Sequence, residues 1–338
     1  MTDYFRPLVQ IGPARPDTAL PLAGGWGWFT HAEVLSRSTP PRVVPAADIP
    51  ASVMARLTPH RPAMAGLTLD RPRIMGILNT TPDSFSDGGQ HNAVPDALRV
   101  AQEMVAAGAD ILDIGGESTR PGADFVPVSE EITRTAPVIA ALRGAGLQTP
   151  ISIDTRKAAV AEAAVSAGAN LVNDVSGFTF DPALGPLCQK MALPVCVMHA
   201  QGDPATMHLD PQYDNVLLDV FDALERQISI LEASGIPRGA ILADPGIGFG
   251  KTQDHNLALL ARLSLFHALG TPILLGVSRK RFIGTIGNAP QARDRAPGSI
   301  AVALAGLGQG VQMIRVHDVD DTRQAVALWH AAYFGSIL

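Results

Sequence analysis

The chain has 338 residues, 46% hydrophobic and 17% charged, which places it among globular proteins with ample material for a core and excludes general disorder. A net charge of −6 without any dense Lys/Arg run argues against a nucleic-acid or anionic-membrane surface, so any anion site must be local. The most apolar stretch, Ile300 to Leu307, is far too short to span about 30 Å of hydrocarbon, and Cys188 and Cys196 lack zinc-ligand spacing, so buried thiols and a cytoplasmic protein are expected.

Residues 1–70 carry many prolines and the Gly24-Gly25-Trp26-Gly27-Trp28 cluster without a sustained period. They read as an N-terminal extension packed on the remainder, its tryptophans serving packing or, alternatively, a partner or ligand surface. From about Arg73 onward, short β-rich runs alternate with segments of helical periodicity, the pattern of βα units on a parallel sheet. Strands are expected at Ile74 to Leu78, Ile111 to Ile114, Ile151 to Ile153, Leu171 to Asn173, Val195 to Met198, Ile241 to Ala243, Ile273 to Gly276 and Met313 to Val316. Helices are expected at Val94 to Ala107, Glu130 to Arg143, Lys157 to Ala167, Val216 to Ser234, Asn256 to Leu269 and Thr322 to His330, three of them closed by Gly108, Gly168 and Gly235. Eight units match a closed (β/α)8 TIM barrel, typically about 250 residues, here over 71–338. A doubly wound sheet is the alternative, distinguished by a strand order that sequence does not reveal.

In a barrel, the residues after each strand face the rim where the chemistry sits. Here they are Asn79, the Asp113 to Glu117 turn, Asp154, Asn173-Asp174, His199, Asp244, Ser278-Arg279-Lys280, Arg315 and His317. Any one of them alone would be read as a cap or loop-ordering residue, but a converging ring of them reads as a site. Carboxylates and amides in a partly apolar pocket suit a ligand edge rich in N–H donors, such as an aminopyrimidinone. Lys280, Arg279, Arg315 and His317 add positive charge for an oxyanion or diphosphate. Two lookalikes fail: Asp244 through Thr252 resembles a phosphate-binding P-loop but has Pro245 where Gly is needed, and His199, His208 and His317 lack a paired zinc spacing, which leaves them solvated or phosphate-facing.

Taken together, the motifs over residues 73–330 resemble the dihydropteroate synthase family. Ile77 through Gly89 looks like the family's first mobile loop and Asp113 through Gly122 like its second. Asp154-Thr155-Arg156, Asn173-Asp174, Asp244 through Lys251, Ser278 through Gly284 and Arg315 through Val319 complete the likeness. The resemblance implies a transferase of folate biosynthesis, a sulfonamide target, that joins (7,8-dihydropterin-6-yl)methyl diphosphate to 4-aminobenzoate through a pterin carbocation, with Mg2+. It implies that Asp113, Asp154, Asn173, Met198, Asp244 and Lys280 hold the pterin, and that Asn79, Thr119, Arg315 and His317 hold the diphosphate, with Asn79 also on the metal. Pro121, Phe249, Ser278 and Lys280 would frame 4-aminobenzoate, while Asp87 and Arg120 on the mobile loops join Asp154 and Lys280 as catalytic residues. Arg281 stands where many members carry Ser, and either pairs with the aminobenzoate carboxylate or points to solvent.

Family practice also implies a homodimer, for which Gly298 to Leu307 and Ala325 to Ala332 could form the face, although their alanine-rich surfaces could equally pack on the barrel. Two other readings compete. A pterin-dependent methyltransferase would share the barrel but has no use for the Ser278-Arg279-Lys280 and Arg315-Val316-His317 segments. A catalytically silent pterin-binding relative would have lost loop residues that are present here, namely Asn79, Asp87, Arg120 and Lys280.

Overall fold

The computed structural model describes residues 3–80, 93–118, 125–202 and 210–337. The first part of the chain forms β1 (Tyr4–Pro7), β2 (Leu20–Pro21), β3 (Trp28–Phe29), β4 (His31–Leu35), β5 (Arg42–Pro45) and α1 (Ala51–Leu57). Here β1, β4 and β5 make an antiparallel sheet, and β2 pairs with β3. These strands are only two to five residues long, and β1 and β4 are buried on both faces, so neither a period of two nor of 3.6 marks them in the sequence.

The remainder alternates strand and helix: β6 (Arg73–Asn79), α2 (Ala93–Ala106), β7 (Ile111–Gly115), α3 (Val128–Gly144), β8 (Ile151–Asp154), α4 (Ala158–Ala167), β9 (Leu171–Asp174), α5 (Leu184–Lys190) and β10 (Val195–Met198). It continues through α6 (Val216–Ala233), β11 (Ile241–Asp244), α7 (Gln253–Ala261), β12 (Leu274–Leu275), α8 (Arg281–Ile286), α9 (Ala296–Gly308), β13 (Met313–Val316) and α10 (Val319–Phe334). The eight strands β6 to β13 pair in parallel in the order β11-β10-β9-β8-β7-β6-β13-β12, and a parallel bridge from Ala243 to Ile273 joins the two ends. The ring is a (β/α)8 TIM barrel, and the strand order rules out the doubly wound sheet. Local chemistry agrees with the helix bounds: Asn215 accepts from Leu218 N to start α6, and Gly168 closes α4 at φ 119°.

One expected helix is two elements. The run from Asn256 to Leu269 breaks at Arg262, and Leu263–Leu269 is a 3-10 segment with every residue buried. It is covered by the extension: Ser264 Oγ donates to Pro7 O at 2.9 Å, and Arg262 pairs with Glu33 of β4 at 3.2 Å. Other ties are Arg37 to Asp219 and Asp222 of α6, both at 2.7 Å, and Trp26 Nε1 to Leu307 O at 2.9 Å. Trp26 also meets Trp329 edge to face, and Trp28 is buried, so both tryptophans serve packing.

The barrel interior is layered. Met75, Ile111, Leu171, Cys196, Leu242, Leu274 and Met313 form one apolar layer, with Met64 and Leu69 of the connecting segment packed into it. Side chains on a strand alternate faces, so the residues two steps on share the inward face: Ile77, Asp113, Asn173, Met198, Asp244, Gly276 and Arg315. An oily layer therefore underlies a polar one, and water is excluded from beneath the polar groups.

Candidate active site

At the centre of the polar layer Asp113 is fully buried. Arg315 Nε lies 2.5 Å from Asp113 Oδ2, and Arg315 Nη2 lies 2.7 Å from Asp154 Oδ2. Asn173 Nδ2 donates to the same Asp113 Oδ2 at 3.1 Å. Asp113 Oδ1 has no hydrogen-bond partner although it is buried. An unpartnered buried acceptor costs about 1–3 kcal/mol, and more when charged, so its retention marks a place where a ligand donor belongs.

Asp244 continues the ring from β11, in register with Met198 of β10. Its Oδ1 accepts from Gly246 N at 2.7 Å. A side chain at Gly276 would begin 3.6 Å from Oδ2, so glycine there keeps that oxygen accessible. Desolvation raises the Asp244 pKa, opposed by the Gly246 N–H and by the charges of Lys280, Lys251 and Arg315.

Lys280 follows β12 and caps α8, with Nζ 3.9 Å from the centroid of the Phe249 ring, a cation–π contact. Arg279 beside it has φ 58° and turns its guanidinium to Asp318, Nε to Oδ2 at 3.1 Å. It clamps the loops after β12 and β13 together rather than charging the pocket, contrary to the sequence expectation. Ser278 Oγ accepts from His317 N at 3.1 Å and lies 2.9 Å from His317 Nδ1.

The family profile described as "Pterin binding enzyme" matches residues 75–317. The dihydropteroate synthase of Escherichia coli K12 is 45% identical over 265 residues, which is 78% of this chain and 93% of that protein. Among solved structures, Xanthomonas albilineans dihydropteroate synthase with 4-aminobenzoic acid superposes with a TM-score of 0.75 at 45% identity, covering 79% of this chain and 96% of that one. The same enzyme in complex with 7,8-dihydropteroate gives a TM-score of 0.72 at 42% identity, covering 79% of this chain and 95% of that one. The chain belongs to the dihydropteroate synthase family.

As is general for TIM-barrel enzymes, these residues lie at the C-terminal ends of the barrel strands. The structure brings together Asp113, Asp154, Asn173 and Arg315 in direct contact, Asp244 beside Met198, Lys280 against Phe249, and Ser278 against His317. Asn79 ends β6, half-buried, in register with Gly115 of β7. Asp87, Thr119, Arg120 and Pro121 lie outside the described residues, as does His208. Arg281 opens α8 and is exposed.

Several rim residues serve structure. Asp174 faces away from the barrel interior, where its carboxylate accepts from Ser176 N and Phe178 N, both at 2.7 Å. Glu117 pairs with Arg156 at 3.1 Å and with Lys157 at 3.2 Å, and Lys157 also pairs with buried Glu131 at 2.6 Å. This network anchors the turn after β7, and nothing in the spacing of Glu131 on α3 announces it.

Lys251, the lysine of the P-loop lookalike, is buried and bonds Gly246 O at 2.9 Å, Phe249 O at 3.0 Å, His199 O at 3.2 Å and His199 Nδ1 at 2.9 Å. It ties the loop carrying Phe249 to the end of β10 and presents nothing to a phosphate. Burial and the Lys251 charge push the His199 pKa down to about 3, so the imidazole, read from sequence as solvated or phosphate-facing, is neutral and engaged by Lys251.

Desolvation raises the Asp154 pKa to about 7, against the pull of Arg315 and with repulsion from Asp113, Glu131 and Asp174. Two consequences follow. Because the pKa rises on folding from an ordinary 3.8, Asp154 contributes stability that is present below 3.8 and lost as pH rises to about 7. For activity, kcat/KM is expected to rise about tenfold per pH unit below that pKa as the carboxylate forms, and Asp154→Asn should flatten this limb. A pH–rate profile with the same acid limb in wild type and variant would assign the limb elsewhere.

Proposed function

We propose that the barrel condenses (7,8-dihydropterin-6-yl)methyl diphosphate with 4-aminobenzoate to give 7,8-dihydropteroate and diphosphate. The observation that carries this reading is the buried, unpartnered Oδ1 of Asp113 within a ring of further acceptors from Asp154, Asn173 and Asp244. That ring is complementary to the N–H edge of an aminopyrimidinone. The 4-aminobenzoic acid and 7,8-dihydropteroate held by the Xanthomonas albilineans relative support the same choice.

On this reading Asp113, Asp154, Asn173, Met198 and Asp244 seat the pterin, and Lys280 donates to its ring acceptors. Arg315, already paired with Asp113 and Asp154, joins His317, Asn79 and Thr119 in holding the diphosphate. Phe249, Pro121, Ser278 and Lys280 frame the aminobenzoate. The C–O bond at the pterin methylene breaks first, and its electron pair leaves with diphosphate. The resulting cation is delocalised into the ring beside the Asp154 and Asp113 carboxylates. The amine nitrogen then forms the C–N bond and gives up its proton to the released diphosphate or to water, so no protein nucleophile is required.

No cluster of three His, Cys, Asp or Glu among the described residues could hold a metal by itself. The single amide of Asn79 at the rim fits a Mg2+ ion that arrives largely through substrate oxygens and water. Mg2+ would neutralise charge on the departing diphosphate.

Residues 1–70 are best taken as an extension packed on the catalytic barrel of residues 71–338, with Met64 and Leu69 plugging the barrel floor. A cytoplasmic homodimer is part of the proposal. Two free buried cysteines suit a reducing compartment, and Leu328 and Tyr333 of α10, 66% and 49% exposed, offer apolar surface for the dimer face.

Asp87→Ala is expected to lower kcat by about 10- to 100-fold while leaving the pterin Kd of the free enzyme within about threefold, because the residue acts in loop closure. Equilibrium titration with the pterin alone checks this, and a large loss of affinity would contradict it. The substrate assignment is tested by calorimetric titration with the pterin diphosphate, with and without Mg2+. One site per chain, competed by the free pterin and tightened by the metal, is expected. No competition by the free pterin would remove the pterin reading, and metal-independent affinity would remove the role of Mg2+.

A further inference from the structure

Two arginines are buried among the described residues, and one of them, Arg73, is matched by a carboxylate, Asp110 at 3.0 Å. Arg61 is not. It is 8% exposed, yet among the described residues no carboxylate lies within ion-pair distance. Its Nη2 donates to His267 O at 3.1 Å, and its Nε is buried without a partner. Desolvation alone lowers its pKa to about 10, so the guanidinium keeps its proton at neutral pH and its charge is uncompensated.

Arg61 lines a cavity of about 180 Å3 walled wholly by residues of the extension, from Ala23 to Asp70. The other walls include Ala23 and Gly24 from the turn after β2, His60, Thr68 and Asp70. Asp70 does not fill the role of counterion: it is exposed, accepts from the Thr68 side chain and sits in the field of Arg73 and Arg71. The cavity therefore has a buried arginine among its lining residues and a carboxylate that is already engaged.

We propose that this cavity is a second ligand site, one that takes a small oxyanion, either a phosphate or a carboxylate group, on the Arg61 guanidinium. A planar fork of N–H donors suits both kinds of group, and low surrounding dielectric strengthens the contact. Because the walls come from the extension while His267 belongs to the 3-10 segment of the barrel, an oxyanion there would fasten the two together. Sites that bind only the folded state raise its stability by mass action.

The test is thermal unfolding and calorimetry of the full chain in chloride buffer titrated with inorganic phosphate, sulfate or acetate. Phosphate is expected to raise the Tm of wild type and of Arg315→Met, in which the oxyanion pocket of the rim is weakened, and to have no such effect on Arg61→Met. Dihydropteroate formation by Arg61→Met should stay at the wild-type level. A response to acetate but not to phosphate or sulfate would narrow the ligand to carboxylates. An equal Tm rise in Arg61→Met, or its loss in Arg315→Met alone, would overturn the proposal. Should Arg61→Met fail to fold, Arg61→Lys keeps the charge and loses the fork; its anion affinity must then fall by about tenfold, and unchanged affinity would be equally decisive against it.

Discussion

Asp244→Asn is expected to lower kcat/KM for the pterin diphosphate by about 10³-fold or more, the scale seen when a buried polar group faces an unmatched partner. The reason is geometric. Asp244 Oδ1 is held by Gly246 N at 2.7 Å, and an asparagine would give its amide oxygen to that bond. Its NH2 group would then stand where Oδ2 stood, beside Gly276, and would meet the ligand donor with another donor. Stability should not fall, because the native carboxylate is buried with a raised pKa and the amide removes that desolvation cost. Steady-state kinetics together with a melting curve check both halves; near-wild-type kcat/KM in a folded variant would remove Asp244 from the pterin site.

Lys280→Ala should reduce kcat/KM by about 10²- to 10³-fold, the usual cost of removing a fixed donor from a desolvated reaction site. The ammonium sits 3.9 Å from the Phe249 ring centroid and lowers the Asp244 pKa through its charge. Its removal should therefore raise the Asp244 pKa further, so that Asp244 adds to the Asp154-dependent acid limb of the pH–rate profile and moves it toward higher pH. Lys280→Arg should recover part of the rate but not the fit. A loss of activity with an unmoved acid limb would mean that Lys280 acts on the ligands alone and not through Asp244.

Much of the barrel is legible in the sequence because several strands carry their own marker. Leu171 and Asn173, Leu242 and Asp244, and Met313 and Arg315 each pair an oily residue with a polar one two steps on, which is the inward face of a strand as it reaches the rim. The same alternation separates Asn173, which points inward, from Asp174, which binds its own turn, yet side by side in sequence the two look equivalent. Arg279 and Lys280 are likewise adjacent and alike in charge, and only the ion pair with Asp318 tells them apart.

Features made by contact between distant segments were not legible. The 3-10 segment at Leu263–Leu269 exists because β1 and β4 bury it, and those strands are too short to show a period of their own. Lys251 resembles a phosphate ligand by spacing, and only the carbonyls of Gly246 and Phe249 and the His199 ring reveal it as a loop brace. Asp87, Thr119, Arg120 and Pro121 fall outside the described residues, so their roles rest on the family likeness.

The most direct test of the central claim is turnover by the purified chain supplied with (7,8-dihydropterin-6-yl)methyl diphosphate, 4-aminobenzoate and Mg2+, following diphosphate and 7,8-dihydropteroate together. Equimolar formation of both, dependent on the amine, is the predicted result. Tight pterin binding with neither product formed would contradict it and identify the chain as a pterin-binding relative that has lost catalysis.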